Sequence, residues 1–226
     1  VSITVCAKNA ENWVHQCLSS LFSQDHRPLE IIAVNDGSTD STFERMKIFK
    51  EKNETPDINL TIIDSDAKGL SAGRQIGLDN SRGQGVAITD IDCSPDPNWI
   101  SSMIAVSEGY PSENVMAVTG RTVFNEGNTR VSRLRSKEIH RKYIGRSRVT
   151  TLANGPCSMF RRDALISIGG FNPSWYHAED MEVSLKLIEK GGTIIYCSEA
   201  LVNHVAEDQL SVFLKKRIRD ARAHVR

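Results

Sequence analysis

The chain has 226 residues, 39% of them hydrophobic and 25% charged, with a formal net charge of zero. That composition excludes a disordered tail and a collagen-like fibre, and the length suffices to bury roughly 70% of the unfolded surface. No apolar run approaches the roughly 18 residues a bilayer crossing needs, and no signal-peptide pattern opens the chain.

Val1, Ile3 and Val5 alternate with Ser2, Thr4 and Cys6 and predict an opening strand. Trp13, Cys17, Leu18, Leu21 and Phe22 follow at helical spacing, and Leu29–Val34 is apolar enough for a strand covered on both faces. Asn35 to Asp40 form a turn in which Ser38 or Asp40 caps a helix holding Phe43, Met46 and Phe49. Further strands are expected at Leu60–Ile63, Val86–Ile91 and Val115–Val123, with helices at Ser71–Asn80 and from Asn98 to Ser107. Strand alternating with helix predicts an α/β domain with a mostly parallel central sheet flanked by helices.

After Val123 the rhythm breaks. Residues 130–148 carry a local charge of +7 and show no clear period, while the last twelve residues carry +5, from Lys215, Lys216, Arg217, Arg219, Arg222 and Arg226 against Asp220. Everything else therefore sums to −12. Such blocks are solvated faces or sites for anionic partners and membrane surfaces. Asp163–Ile168 reads as helical and ends at Gly169-Gly170; a clearer helix runs from about Ala178 to Lys190, then a strand at Thr193–Cys197 and a basic helix from about Asp208. Five scattered cysteines without C-x-x-C spacing point to reduced thiols in the cytoplasm. A start on a strand without Met and an end inside a helix are expected of a piece of a longer protein.

Asp90-Ile91-Asp92 closes a strand, and ligands of open α/β sheets bind beyond the carboxyl ends of the strands. Two such carboxylates repel unless a cation lies between them, and Mg²⁺ or Mn²⁺ with a diphosphate suits oxygen ligands; an Asp-rich turn is the plain alternative. Asp36, before Gly37, can accept a nucleobase N–H, or merely belong to a capped turn. In Gly69-Leu70-Ser71-Ala72-Gly73-Arg74, the arginine can pair with phosphate or with an acid of the site. Glu179-Asp180 heads a helix, where acids are favoured electrostatically, and Asp180 is also a candidate general base. His204 is a candidate third metal ligand or a structural histidine.

In order, Val1–Asn9, Ile31 to Asp40, Gly69–Gly77, Thr89 to Asp92, Asn154–Phe160 with Gly169-Gly170-Phe171, and Glu179-Asp180 resemble the family 2 glycosyltransferases over about residues 1–204. The resemblance implies a single GT-A type domain with a Rossmann-like sheet. It further implies a nucleotide-sugar-binding half at about 1–124 and an acceptor-binding half at about 125–204; the basic C-terminal helix, at 205–226, lies beyond the resemblance. The resemblance assigns Ala7, Asn9, Asp36, Arg74 and Asp90 to the nucleotide sugar, Asp92 and His204 to Mn²⁺ or Mg²⁺, Asp180 to the catalytic base and Glu179 to acceptor placement. Ala7-Lys8-Asn9 stands where many relatives have Thr-Tyr-Asn, and Asn35 replaces the first acid of their Asp-Asp-Gly-Ser.

The expected function is inverting, metal-dependent transfer from a UDP- or GDP-sugar to a hydroxyl of a saccharide or lipid-linked acceptor. Polysaccharide or glycolipid synthesis at the cytoplasmic face of a membrane is the expected setting. Peripheral membrane contact through the basic segments is part of that expectation, and a nucleic-acid partner is not. The alternatives are a nucleotidyltransferase, against which Val1–Asn9 lacks glycine, and a non-catalytic nucleotide-sugar-binding domain.

Overall fold

The computed structural model describes residues 1–53, 55–66, 68–175 and 178–223. Arg226 of the basic block lies outside the described residues, as does the side chain of Arg222. The first half alternates as expected except for β5, a short strand not expected from the sequence: β1 (Ser2–Ala7), α1 (Val14–Phe22), β2 (Leu29–Asp36), α2 (Thr42–Asn53), β3 (Ile58–Ser65), α3 (Leu70–Asp79), β4 (Gly85–Asp90), β5 (Cys93–Pro95), α4 (Trp99–Glu108) and β6 (Val115–Phe124). Then come α5 (Arg130–Tyr143), β7 (Val149–Thr150), β8 (Ser158–Arg161), α6 (Arg162–Ser167), α7 (Glu179–Glu189), β9 (Thr193–His204) and α8 (Leu210–Ala223).

One sheet runs β3-β2-β1-β4-β8-β6-β9-β5, with β7 on the side of β9. Strands β3, β2, β1 and β4 are parallel. Strand β8 enters antiparallel between β4 and β6, and β6 and β9 are again parallel. The register is what matters for function. Ala7 pairs with Asn35, Cys6 with Asp90 and Asp36 with Ser65, so the ends of β1, β2, β3 and β4 form one edge.

Strand β1 is buried along its full length, although its polar residues alternate with apolar ones. Ile3, Val5 and Ala7 join the larger core. The opposite face meets α3 through glycine: a Cβ on Gly77 would lie 2.1 Å from Thr4 Cγ2, and one on Gly73 would lie 2.9 Å from Cys6 Sγ. With no side chain in the way, the helix backbone lies directly on the strand. Along β4, Ala87 faces the first core and Val86 and Ile88 face a second, built from Leu78, Leu165, Phe171, Val183 and Leu187.

Two expectations are sharpened. Asp40 is the acid at the start of α2, accepting the Thr42 amide at 3.0 Å, while Ser38 receives the Asn9 amide. The segment without a clear period contains α5, opened by a capping box of Thr129 and Ser132. Its buried positions are Ser132, Arg135 and Ile139. Their spacing is helical, but two are polar, which is why hydrophobic periodicity misses the helix. All five cysteines are buried and free.

Candidate active site

Strand register assembles the site. His204 ends the long β9, where it is the cross-strand partner of Cys93 on one side and Phe124 on the other. Cys93 directly follows Asp92, so pairing in β5 brings His204 Nε2 to 3.5 Å from Asp92 Oδ1. The imidazole stacks on Phe124 with centroids 4.4 Å apart, and its Nδ1 lies 2.8 Å from the Val205 carbonyl. A carbonyl only accepts, so Nδ1 carries the proton and the Nε2 of a neutral ring turns its lone pair toward Asp92. Two acceptors face each other at a position that a cation or a proton must bridge.

Asp90, Asp92, Cys93 and His204 place ligand atoms within 4.8 Å of one another. Burial pushes the Cys93 thiol well above its ordinary value, so it is not a thiolate. The two carboxylates and the imidazole form the donor set that fits Mn²⁺ or Mg²⁺. Burial also raises the Asp92 carboxyl, against the pull of His204 and with the help of the Asp90 charge.

Asp90 also faces the helix behind it. Arg74 is 2% exposed and donates to Asp90 Oδ1 at 2.9 Å, to the Gly155 carbonyl at 3.2 Å and to Glu179 Oε1. Burial alone would lower the guanidinium's pKa, but Glu179 and Asp90 overcome it and hold the charge. Of the two partners considered for Arg74 from sequence, phosphate or an acid of the site, the folded chain presents acids. The arginine is an internal cross-link between α3, β4 and α7.

Gly155 is a site residue that sequence reasoning left unassigned within Asn154–Phe160. Its amide donates to Asp180 Oδ2 at 3.0 Å while its carbonyl accepts from Arg74. A Cβ there would lie 2.9 Å from Arg74 Nη2. Asn154 holds this loop, donating to Thr119 Oγ1 at 2.8 Å and to the Gly120 carbonyl at 3.0 Å. On α7, Ala178 takes a left-handed φ of 62° just before the acidic pair, a conformation that costs a non-glycine residue about 1–2 kcal/mol. Glu179 turns inward to Arg74, and Asp180 is half-buried. Burial raises the Asp180 pKa, with the Glu179 charge adding to it and Arg74 opposing.

At the other strand ends, both Asp36 oxygens lie 3.1 Å from the Gly69 amide, so this carboxylate fixes the start of α3. Lys8 Nζ stands 3.9 Å from Asp36. Asn9, at φ 49°, accepts the Thr39 amide at 2.8 Å and ties the loop after β1 to the loop after β2. Ala7 is packed into the main core at the end of β1.

Asp90, Arg74, Gly155, Glu179, Asp180 and His204 line one cavity of about 410 Å³. Its further wall comes from the two basic helices, through Arg135, Lys142, Lys216, Arg217 and Arg219. The sequence allows these blocks to be solvated faces or sites for anionic partners; part of each lines the acidic cleft. Arg135 lies over the Phe124 ring at 4.7 Å and reaches Glu138 at 2.8 Å and Glu207 at 3.5 Å.

Comparison with known proteins shows the family and the fold. The family model described as glycosyl transferase family 2 matches residues 2–169. The chain belongs to that family. Glycosyltransferase GlyA of Streptococcus pneumoniae is 32% identical over 126 residues, covering 56% of this chain and 17% of the relative. Glucosyl-dolichyl phosphate glucuronosyltransferase of Haloferax volcanii is 25% identical over 221 residues, covering 90% of this chain and 68% of that protein. Among solved structures, the mannosyltransferase PcManGT of Pyrobaculum calidifontis in complex with GDP-Man and Mn²⁺ has a TM-score of 0.74 at 20% identity, covering 97% of this chain and 64% of that one. TarS of S. aureus in complex with UDP-GlcNAc has a TM-score of 0.68 at 18% identity, covering 92% and 59%. The fold is GT-A, and this family 2 domain corresponds to part of the length of these proteins. Among the described residues, no helix is long and apolar enough to cross a membrane.

Proposed function

We propose that the domain catalyses inverting, metal-dependent transfer of a sugar from a UDP- or GDP-sugar to a hydroxyl of a saccharide or lipid-linked acceptor. The observation that carries the reading is the convergence, on one cavity, of Asp180 with Asp90 and His204, the latter backed by Asp92. Asp90, Asp92 and His204 would hold Mn²⁺ or Mg²⁺, which when bound supplies Lewis-acid stabilisation of the departing diphosphate. Asp36 has lone pairs beyond those meeting the Gly69 amide and would accept a base N–H at the end of β2. Arg135 and Lys142 of α5 and Lys216, Arg217 and Arg219 of α8 would screen the diphosphate charge from the far wall.

Asp180 would accept the proton of the attacking hydroxyl. Its Oδ2 is aimed by the Gly155 amide and its helix is anchored through Glu179 and Arg74. Arg74 would act through this scaffold rather than on phosphate. Membership of the glycosyl transferase family 2 supports transfer over simple nucleotide-sugar binding.

Replacing Asp180 by Asn keeps the shape and removes the base. It is expected to lower transfer by about 10²–10⁴ while leaving donor affinity, read by titration calorimetry, within about twofold. EDTA should abolish transfer and Mn²⁺ or Mg²⁺ restore it. Full activity of Asp180→Asn would exclude the base assignment.

A further inference from the structure

Helix α5 has two faces. Arg135, Ile139, Lys142 and Tyr143 look onto the catalytic cavity. Ser136, Lys137, His140 and Arg141 instead line a second cavity of about 290 Å³, whose opposite wall is Arg121, Thr122, Val123 and Phe124 of β6, with Glu126 at its edge. Three permanent cations and an imidazole thus surround a space with one acid.

The two faces are treated differently. On the first, Arg135 is neutralised by Glu138 and Glu207. On the second, none of Arg121, Lys137, His140 and Arg141 lies within hydrogen-bond or ion-pair distance of an acid among the described residues. Glu199 feels the Arg121 charge, yet the hydrogen bonds it accepts come from Ser198 Oγ and Cys197 Sγ. Arg121 Nε is buried with no partner. Lys137 and Arg141 are one helical turn apart, where like charges repel. A buried, unsatisfied charged donor is costly, and a concave cluster in which cationic donors outnumber the single carboxylate is the complement of an anion.

We propose that this cavity binds a phosphate ester, and that the ester belongs to the acceptor. Arginine offers a fork matched to phosphate oxygens, lysine a point charge, and histidine a ring N–H in either protonation state. The volume admits a phosphate with the first atoms of the group that bears it. The donor diphosphate has its own place beside Asp90, and Thr122 and Phe124 line both cavities, so a molecule held by its phosphate here lies against the wall of the catalytic cleft. Only the attribution to the acceptor rests on the glycosyl-transfer reading; the anion site does not.

The test titrates the intact chain, without nucleotide, with inorganic phosphate, glycerol 3-phosphate and dispersed dihexanoyl phosphatidic acid. It is repeated with Lys137→Ala/Arg141→Ala, two exposed positions whose loss should leave the circular dichroism spectrum and the thermal midpoint unchanged. Saturable binding of phosphate esters that weakens tenfold or more in the double variant supports the site. Preference for phosphatidic acid over glycerol 3-phosphate then assigns a lipid-borne phosphate, and equal affinity a water-soluble one. No binding at millimolar ester, or equal binding by the double variant, overturns the proposal. Absent glycosyl transfer would leave these titrations unaffected, so the two readings fail separately.

Discussion

Asp180 shows how much one side chain's surroundings decide. As a helix-head acid it would have an ordinary carboxylate pKa, lowered if anything by the helix dipole. In the folded chain burial raises it, Glu179 adds to the rise and Arg74 opposes it. The base role proposed for Asp180 requires the ionised carboxylate, so a raised pKa would move the acid limb of the rate profile upward. The kcat/KM profile is expected to fall below a pH higher than the ordinary Asp value near 4, and Arg74→Met, which removes the opposing charge, should move that limb higher still. Asn35 carries a second residue-scale lesson. Its amide donates to Asp64 Oδ1 at 2.6 Å, so the asparagine that replaces a common acid supplies a donor where a carboxylate would meet another carboxylate. The substitution is visible in the sequence, but its partner Asp64 is not, because the parallel register of β2 and β3 places it opposite.

At the scale of elements, α3 is positioned by what it lacks. Gly73 and Gly77 are four residues apart and lie against Cys6 and Thr4. That close approach sets the depth of Arg74, and Arg74 sets α7 through Glu179. A methyl at Gly77 would overlap Thr4, so Gly77→Ala is expected to lift the helix at a cost of about 1–3 kcal/mol, seen as a lower urea midpoint. Transfer activity should fall further than the loss of folded protein explains, because the Arg74 bridge shifts with the helix. The glycines were visible in the sequence as part of a motif, but spacing alone did not tell whether they spare room for a ligand or for the sheet.

For the whole molecule, Glu207 is the tie that closes the cleft. It lies just beyond β9, accepts Lys216 of α8 at 2.9 Å and faces Arg135 of α5 at 3.5 Å. Burial would raise its pKa, but the Lys216 hydrogen bond, a backbone amide and Arg135 hold it below the ordinary glutamate value. A depressed folded pKa stabilises the fold above the unfolded pKa, and that stability is lost as pH falls through the folded one. Glu207→Gln leaves Arg135 buried with one acid fewer and should cost on the order of 3 kcal/mol at neutral pH. For a chain of this size that is a melting-temperature drop of roughly 6–12 °C, read by scanning calorimetry, with the difference from wild type shrinking toward acid pH.

Chain order and local pattern by themselves determined the alternating α/β half, the strand-end position of the Asp90-Ile91-Asp92 tripeptide and the helix-head position of Glu179-Asp180. These features depend on neighbours a few residues away, where periodicity and turn chemistry act. Only the tertiary structure decided that Arg74 faces acids, that His204 meets Asp92, and that one face each of α5 and α8 walls the cleft. Those outcomes follow from register between strands more than a hundred residues apart and from a helix whose buried face is polar, and neither leaves a periodic trace in the sequence.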